Sequence, residues 1–335
     1  MAPTQQRQLV TRGERAADFV ARRGDGQATR FYAYVGGAPA VLVFSGAGGE
    51  PAAAVIRDQL REALASDVVL HVIAAGGELT EPATFSDPHG AVHAAYGVAA
   101  DGEPVSVVLD PNVRVVATRA HADSSGDLAE VLSACAAAAY DGEGRTVRPQ
   151  APVLFVPDAL SPTLCRQLMD LWGEENVETG VETSVDGGRA ETADAQRKRR
   201  RDHTVTDQQW LRTLTSYVGR RIMPEIRKAF AYEAKRFEGF KIGCYTAEDA
   251  GFFTAHRDNL SQATAHRAFG LTLNLNDDYE GGELRFPEYG PDRYRPDAGE
   301  ALIFSGSHLH EVLPVTRGRR FVLLSFLFGG DQPGQ

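Results

Sequence analysis

His256-Arg257-Asp258 sets an imidazole and a carboxylate two residues apart. On an extended strand alternate side chains share a face, so the two can reach one ion. A third ligand must come from elsewhere, and His310 follows after several strand signals. Two histidines and one carboxylate form the facial site that suits iron(II) and leaves coordination positions open for a cosubstrate and oxygen. His308 lies two residues before His310 and would face the same side of a strand, so spacing alone admits either. The run His310-Glu-Val-Leu-Pro-Val-Thr-Arg-Gly-Arg-Arg320 reads as strand, turn and return strand. A guanidinium at the start of the return strand can pair bidentately with the carboxylate of a metal-bound ligand. Arg320 suits that place, because Arg319 alternates to the other face and Arg317 falls in the turn.

The elements that must position these residues read as short strands. Phe240–Tyr245, Gly270–Asn276, Gly282–Phe286, Ala301–Phe304 and Arg320–Phe326 are apolar runs separated by Gly, Pro, Asp and Asn. They follow two helical patterns. Ser161-Pro162 opens the first, with Leu164, Leu168 and Leu171 on one stripe, and the second covers 207–231. Helices followed by many short strands predict an α+β unit with a jelly roll. Residues 178–206 show no clear period and read as a loop or lid.

The segment 13–140 alternates strands and helices, which predicts an α/β layer architecture. Val41–Ser45 and Val68–Ile73 read as buried strands, with a helical pattern over 51–65 between them. Val105–Leu109 and Val113–Ala117 flank a turn at Asp110-Pro-Asn112, and a closing helix covers 126–139. Tyr140–Pro152 is rich in turn formers and reads as a linker. The expected domains are therefore 1–147 and 148–335.

A net charge of −10 over 335 residues disfavours nucleic acid or an anionic membrane as a partner. The three cysteines, Cys135, Cys165 and Cys244, are odd in number and far apart, against a disulfide framework and in keeping with a reducing compartment. No run of about 18 apolar residues is present, and the N-terminus lacks an apolar signal core, so a soluble cytoplasmic protein is expected.

Three stretches together resemble the prolyl 4-hydroxylase-type iron/2-oxoglutarate dioxygenases over about residues 150–330. They are Tyr245–Asn259 with its H-x-D, Leu273–Pro287 with Gly281-Gly282-Glu-Leu-Arg-Phe-Pro287, and the His310–Arg320 run. The resemblance implies a double-stranded β-helix, with His256, Asp258 and His310 as iron ligands and His310 favoured over His308. It implies that Arg320 binds the distal carboxylate of 2-oxoglutarate and that Tyr245 hydrogen-bonds the same carboxylate. The implied cofactors are Fe(II), 2-oxoglutarate and O2, with ascorbate as a candidate addition. The implied reaction is hydroxylation of an unactivated C–H bond, releasing succinate and CO2. Asp258 stands against a halogenase, in which that carboxylate is lost.

Gly13–Phe19, the Val41–Phe44 strand, Ala95–Val98 and Val105–Pro111 resemble a thioredoxin-fold peroxiredoxin domain over about residues 10–140. The segment Ser45-Gly-Ala-Gly-Gly-Glu-Pro51 has no cysteine where that pattern needs its nucleophile, so a redox-inactive domain is expected. Its expected use is homodimerisation, partner docking or covering the active site. Arg201, His203, Asn259 and Asn274 are candidate substrate contacts, and the basic run 197–201 otherwise reads as a solvated loop face. The expected substrate is a small molecule, amino acid or peptide residue. Alternatives are a prolyl hydroxylase whose protein substrate is docked by the N-terminal domain, and a non-catalytic iron/2-oxoglutarate sensor.

Overall fold

The structure, a computed structural model, describes residues 8–329 apart from 25, 47–48, 66, 76–83, 122–127, 140–143, 145, 148, 186–187 and 193. Part of the expected linker and the first two residues of the expected closing helix lie outside the described residues. The chain divides into two compact units, Met1–Gly144 and Arg145–Gln335.

The N-terminal unit is built on a seven-stranded sheet. Its central strand, Ala40–Phe44, runs parallel to Val69–Ala74 and antiparallel to Val105–Leu109. Val41 and Val43 face the helices Gly49–Ala63 and Ala129–Ala138, while Leu42 and Phe44 face Phe31, Phe85 and Tyr96. Burial on both faces is why this strand reads as an unbroken apolar run. The Asp110 turn closes as expected, with Val113 in the left-handed region and its N–H donating to the Asp110 carbonyl. Ser45 follows the central strand. Its carbonyl lies 3.0 Å from His93 Nε2, and Asp87 Oδ2 lies 2.7 Å from His93 Nδ1. This buried bridge ties the helix Ala91–Tyr96 to the end of the strand.

Burial raises the thiol pKa of Cys135 and Cys165 to about 11 and that of Cys244 to about 12. A thiol held that high carries almost no thiolate near neutrality. At pH 8 the native chain is therefore expected to show no fast-reacting thiol towards a disulfide reagent, and three after denaturation. A rapid native reaction at any of them would contradict this packing.

In the C-terminal unit an eight-stranded and a five-stranded sheet carry the jelly roll, and the pairings within them are antiparallel. The larger sheet centres on Arg319–Phe328, flanked by Lys241–Thr246 and Phe269–Asn274. Ile242, Cys244, Leu271 and Leu323 pack outward against the helices, so Gly243, Tyr245 and Arg320 face inward. Ser161 caps the helix Pro162–Glu174, and Asp207 caps Gln208–Tyr217. The helix expected over 207–231 passes through a π-turn, Val218–Ile222, before Met223–Phe230. Pro224 explains the turn, because it has no N–H to donate to the preceding turn. No helix among the described residues is long and apolar enough to cross a membrane.

Residues 178–206 do not form the expected loop. Val181–Val185 and Gly188–Thr192 pair as a hairpin. The basic run then crosses between the sheets. Lys198–Arg199 pairs with the His256 strand in the smaller sheet, and Arg201–Thr204 pairs with the Tyr245 strand in the larger one.

Candidate metal and cosubstrate site

The strand Phe252–His256 ends at its histidine and pairs with His310–Val312, setting His256 opposite His310. Asp258 lies just beyond the strand end, where its N–H donates to the Gly306 carbonyl. Arg257 pairs with Glu288 Oε1 at 2.6 Å, and His256 and Asp258 line the cavity. His256 Nε2 is 3.6 Å from Asp258 Oδ1, and His310 Nε2 is 3.7 Å from Asp258 Oδ2. These are too long for hydrogen bonds. The three donor atoms lie within 4.8 Å of one another, around a point that each can reach.

The tautomers follow from the neighbours. His256 Nδ1 is 2.8 Å from the Thr254 carbonyl and His310 Nδ1 is 3.0 Å from the His308 carbonyl. A carbonyl only accepts, so Nδ1 carries the proton and Nε2 presents a lone pair. Burial, then the neighbouring His310, holds the pKa of His256 well below its ordinary value; Arg200 and Lys198 add to this, and the Thr254 hydrogen bond works the other way. His256 is therefore neutral at pH 7, as a metal ligand must be. Phe253 stacks on His256 at 3.7 Å and Phe304 sits 4.5 Å from His310, giving the site apolar walls. Gly270 leaves room for the carboxylate, since a Cβ there would come 3.1 Å from Asp258 Oδ2 and 2.8 Å from the Phe304 ring.

His308 lies outside this cluster, with Nε2 3.3 Å from Tyr289 Oη. The strand begins only at His310, so alternation does not carry His308 to the same face. Arg319 is exposed, and Arg317 pairs with Glu280 at 2.8 Å. Arg320 is buried at 1% exposure. Its Nε and Nη2 donate to Asn274 Oδ1 at 3.2 and 3.1 Å, and among the described residues no carboxylate pairs with it. A buried guanidinium without a counter-charge is costly, so the place suits the carboxylate of a bound ligand. Tyr245 is the cross-strand partner of Arg320.

His256, Asp258, His310, Arg320 and Tyr245 line one cavity of about 460 Å³. Lys198 and Arg200 line it too, and the expectation for this run missed them. Alternation along the strand explains the pattern. Lys198 and Arg200 turn inward and Arg199 and Arg201 outward, so the run is not a solvated loop face. Burial works against ionisation of Asp202, but Arg200, then Lys198 and Thr179, outweigh it and hold its carboxyl below the ordinary range.

None of the four candidate substrate contacts lines the cavity. Arg201 donates to Asn176 Oδ1 at 2.6 Å, and His203 Nδ1 meets the Glu175 carbonyl at 2.7 Å, both on the outer face. Asn259 donates to Ser307 Oγ at 2.7 Å, outside the cavity lining. Asn274 is fully buried and serves Arg320, while its Nδ2 donates to Tyr279 Oη and the Pro296 carbonyl.

The 2OG-Fe(II) oxygenase superfamily model matches residues 240–328, a span that contains all three donors, Tyr245 and Arg320. The C-terminal unit carries a 2OG-Fe(II) oxygenase domain. The rat multifunctional procollagen lysine hydroxylase and glycosyltransferase LH3 is 29% identical over 199 residues, covering 56% of this chain and 25% of that protein. A PKHD-type hydroxylase of Xanthomonas axonopodis is 27% identical over 177 residues, covering 50% of this chain and 75% of the relative. One of Pseudomonas fluorescens is 39% identical over 89 residues, covering 24% and 38%. The chain spans about a quarter of the length of the LH3 relative. Among solved structures, a Pseudomonas putida prolyl-4-hydroxylase is 19% identical with a TM-score of 0.40, covering 54% of this chain and 95% of that one.

Proposed function

We propose that this chain is an iron(II)- and 2-oxoglutarate-dependent dioxygenase hydroxylating an unactivated C–H bond of a small molecule, amino acid or peptide residue. The observation that carries the reading is the cluster of two imidazoles and a carboxylate in one cavity with the buried Arg320. His256, Asp258 and His310 would hold iron through Nε2, a carboxylate oxygen and Nε2. Iron with 2-oxoglutarate and O2 supplies the oxidant, releasing succinate and CO2. The protein's share is position and exclusion of water. Arg320 and Tyr245 hold the distal carboxylate of the cosubstrate, and the rings of Phe253 and Phe304 shield the donor atoms.

A peptide residue as substrate is favoured by one further feature. Leu260, 77% exposed, lines the cavity just beyond Asp258 and offers an apolar rest for a segment bound outside. The lysine hydroxylase among the relatives, named for procollagen, agrees with this. In the N-terminal unit we infer a thioredoxin-like domain without redox chemistry, used for docking or dimerisation. Supporting this, its central strand leads into Ser45, and Cys135, its one cysteine, is buried in a helix. We place the protein in the cytoplasm, a reading supported by three free thiols.

The test is succinate formation from 2-oxoglutarate when oxygen is admitted to anaerobically iron-loaded protein. Slow turnover without a primary substrate is expected in the wild type, falling to background in His310→Ala. A wild-type chain that takes up neither iron nor 2-oxoglutarate would leave a degenerate binding module as the better account.

A further inference from the structure

Tyr245 is gripped from behind. Arg200 Nη1 donates to Tyr245 Oη at 3.2 Å, while Nε and Nη2 of the same guanidinium bind Asp202 Oδ1 and Oδ2 at 2.5 and 2.7 Å. Asp202 is itself fixed by Thr179 Oγ1 at 2.7 Å. The Arg200 stem lies flat across the Tyr245 strand because Gly243 has no side chain. A Cβ there would meet Arg200 Cδ at 3.0 Å, Arg200 Nε at 3.1 Å and Asp202 Oδ1 at 3.1 Å. Register makes this a single row across three strands. Arg201 is the partner of Cys244, so Arg200 comes level with Tyr245, and Tyr245 is in turn the partner of Arg320. The guanidinium carbons of Arg200 and Arg320 lie 5.6 and 5.7 Å from the Tyr245 ring centre.

A guanidinium only donates, so the Tyr245 oxygen accepts from Arg200 and its own proton must point elsewhere. The charge of Arg200 is taken up by Asp202, which leaves the side chain to act through the phenol. We propose that Arg200 is a positioning residue for cosubstrate binding, fixing the Tyr245 hydroxyl so that its proton meets the carboxylate that Arg320 neutralises. The inference rests on the reading of Tyr245 and Arg320 as the cosubstrate clamp.

The experiment is anaerobic calorimetry of 2-oxoglutarate binding to the iron-loaded full chain. It compares wild type, Tyr245→Phe, Arg200→Gln and the double variant. A hydrogen bond to a charged group predicts a Kd about tenfold weaker for Tyr245→Phe. Arg200→Gln should weaken binding several-fold, and the double variant should be no worse than Tyr245→Phe alone. Because Arg200→Gln removes the nearest counter-charge of the buried Asp202 and leaves it Lys198 at 3.9 Å, Arg200→Lys is the second arm. A lysine keeps the charge beside Asp202 but lacks the planar fork that reaches Tyr245, so it should fold as the wild type does and bind 2-oxoglutarate as Arg200→Gln does. The proposal is overturned if both Arg200 variants bind as the wild type does, or if their losses multiply with that of Tyr245→Phe. If Tyr245→Phe alone binds normally, the clamp reading of Tyr245 falls and takes the proposal with it. If the wild type does not bind 2-oxoglutarate at all, the oxygenase reading fails as well.

Discussion

Asp258→Ala is expected to abolish stable iron binding. The substitution removes the only anionic donor of the cluster and leaves two imidazoles whose ring centres are 4.3 Å apart. Loss of an outer-shell partner alone weakens metal binding about 10–100-fold, so loss of a ligand should exceed roughly 100-fold. Succinate formation should fall with iron occupancy. The measurement is anaerobic Fe(II) titration of both proteins. Retention of stoichiometric iron at near wild-type affinity would remove Asp258 from the ligand set.

The legible part of the site consists of residues whose types are chemically unusual where they stand. A histidine and an aspartate two apart before an apolar strand, and an arginine opening another, have few structural uses, and the structure brings all three together with His310. Arg200 and Lys198 were hidden by their neighbours. Five consecutive basic residues, 197–201, suggest a solvated face, and only the crossing between two sheets brings Lys198 and Arg200 to the cavity. Arg201 and His203 share the outward face, opposite Cys244 and Ile242. Asn274 was visible as a polar residue in an apolar strand, but its role depends on a partner 46 residues away in sequence. The helices and the inner strands of the larger sheet followed from local pattern, and the short strands Val177–Glu178, Lys198–Arg199 and Arg201–Thr204 did not. The order of strands around Arg319–Phe328 did not, because it is decided by which faces can be buried together. Pro224 carried the signal for the π-turn, yet the apolar stripe runs through it unbroken.

Arg320→Ala should leave iron binding intact and remove 2-oxoglutarate binding. The two effects separate because Arg320 and the metal cluster occupy different parts of one cavity. Arg320 begins the central strand of the larger sheet, where Asn274 Oδ1 accepts from two of its nitrogens and fixes the plane of the fork. A guanidinium held in place before the ligand arrives loses little freedom on binding. Breaking a buried pair by removing one partner costs about 3–5 kcal/mol, which corresponds to a 2-oxoglutarate Kd weakened by roughly 100- to 1000-fold or more. Arg320→Lys should retain part of this affinity, because an ammonium supplies the charge without the bidentate geometry. Asn274→Ala should fall between the wild type and Arg320→Ala, since it frees the fork but leaves the charge. Anaerobic calorimetry with 2-oxoglutarate, alongside Fe(II) titration of each variant, gives the ordering directly. Wild-type affinity in Arg320→Ala would mean that the cosubstrate carboxylate is held elsewhere in the cavity. Loss of iron together with 2-oxoglutarate would instead mean that Arg320 supports the fold of the metal site. The ordering of the four proteins also tests geometry against charge. If fork geometry matters, Arg320→Lys falls well short of the wild type; if charge alone matters, Arg320→Lys and Asn274→Ala both approach it.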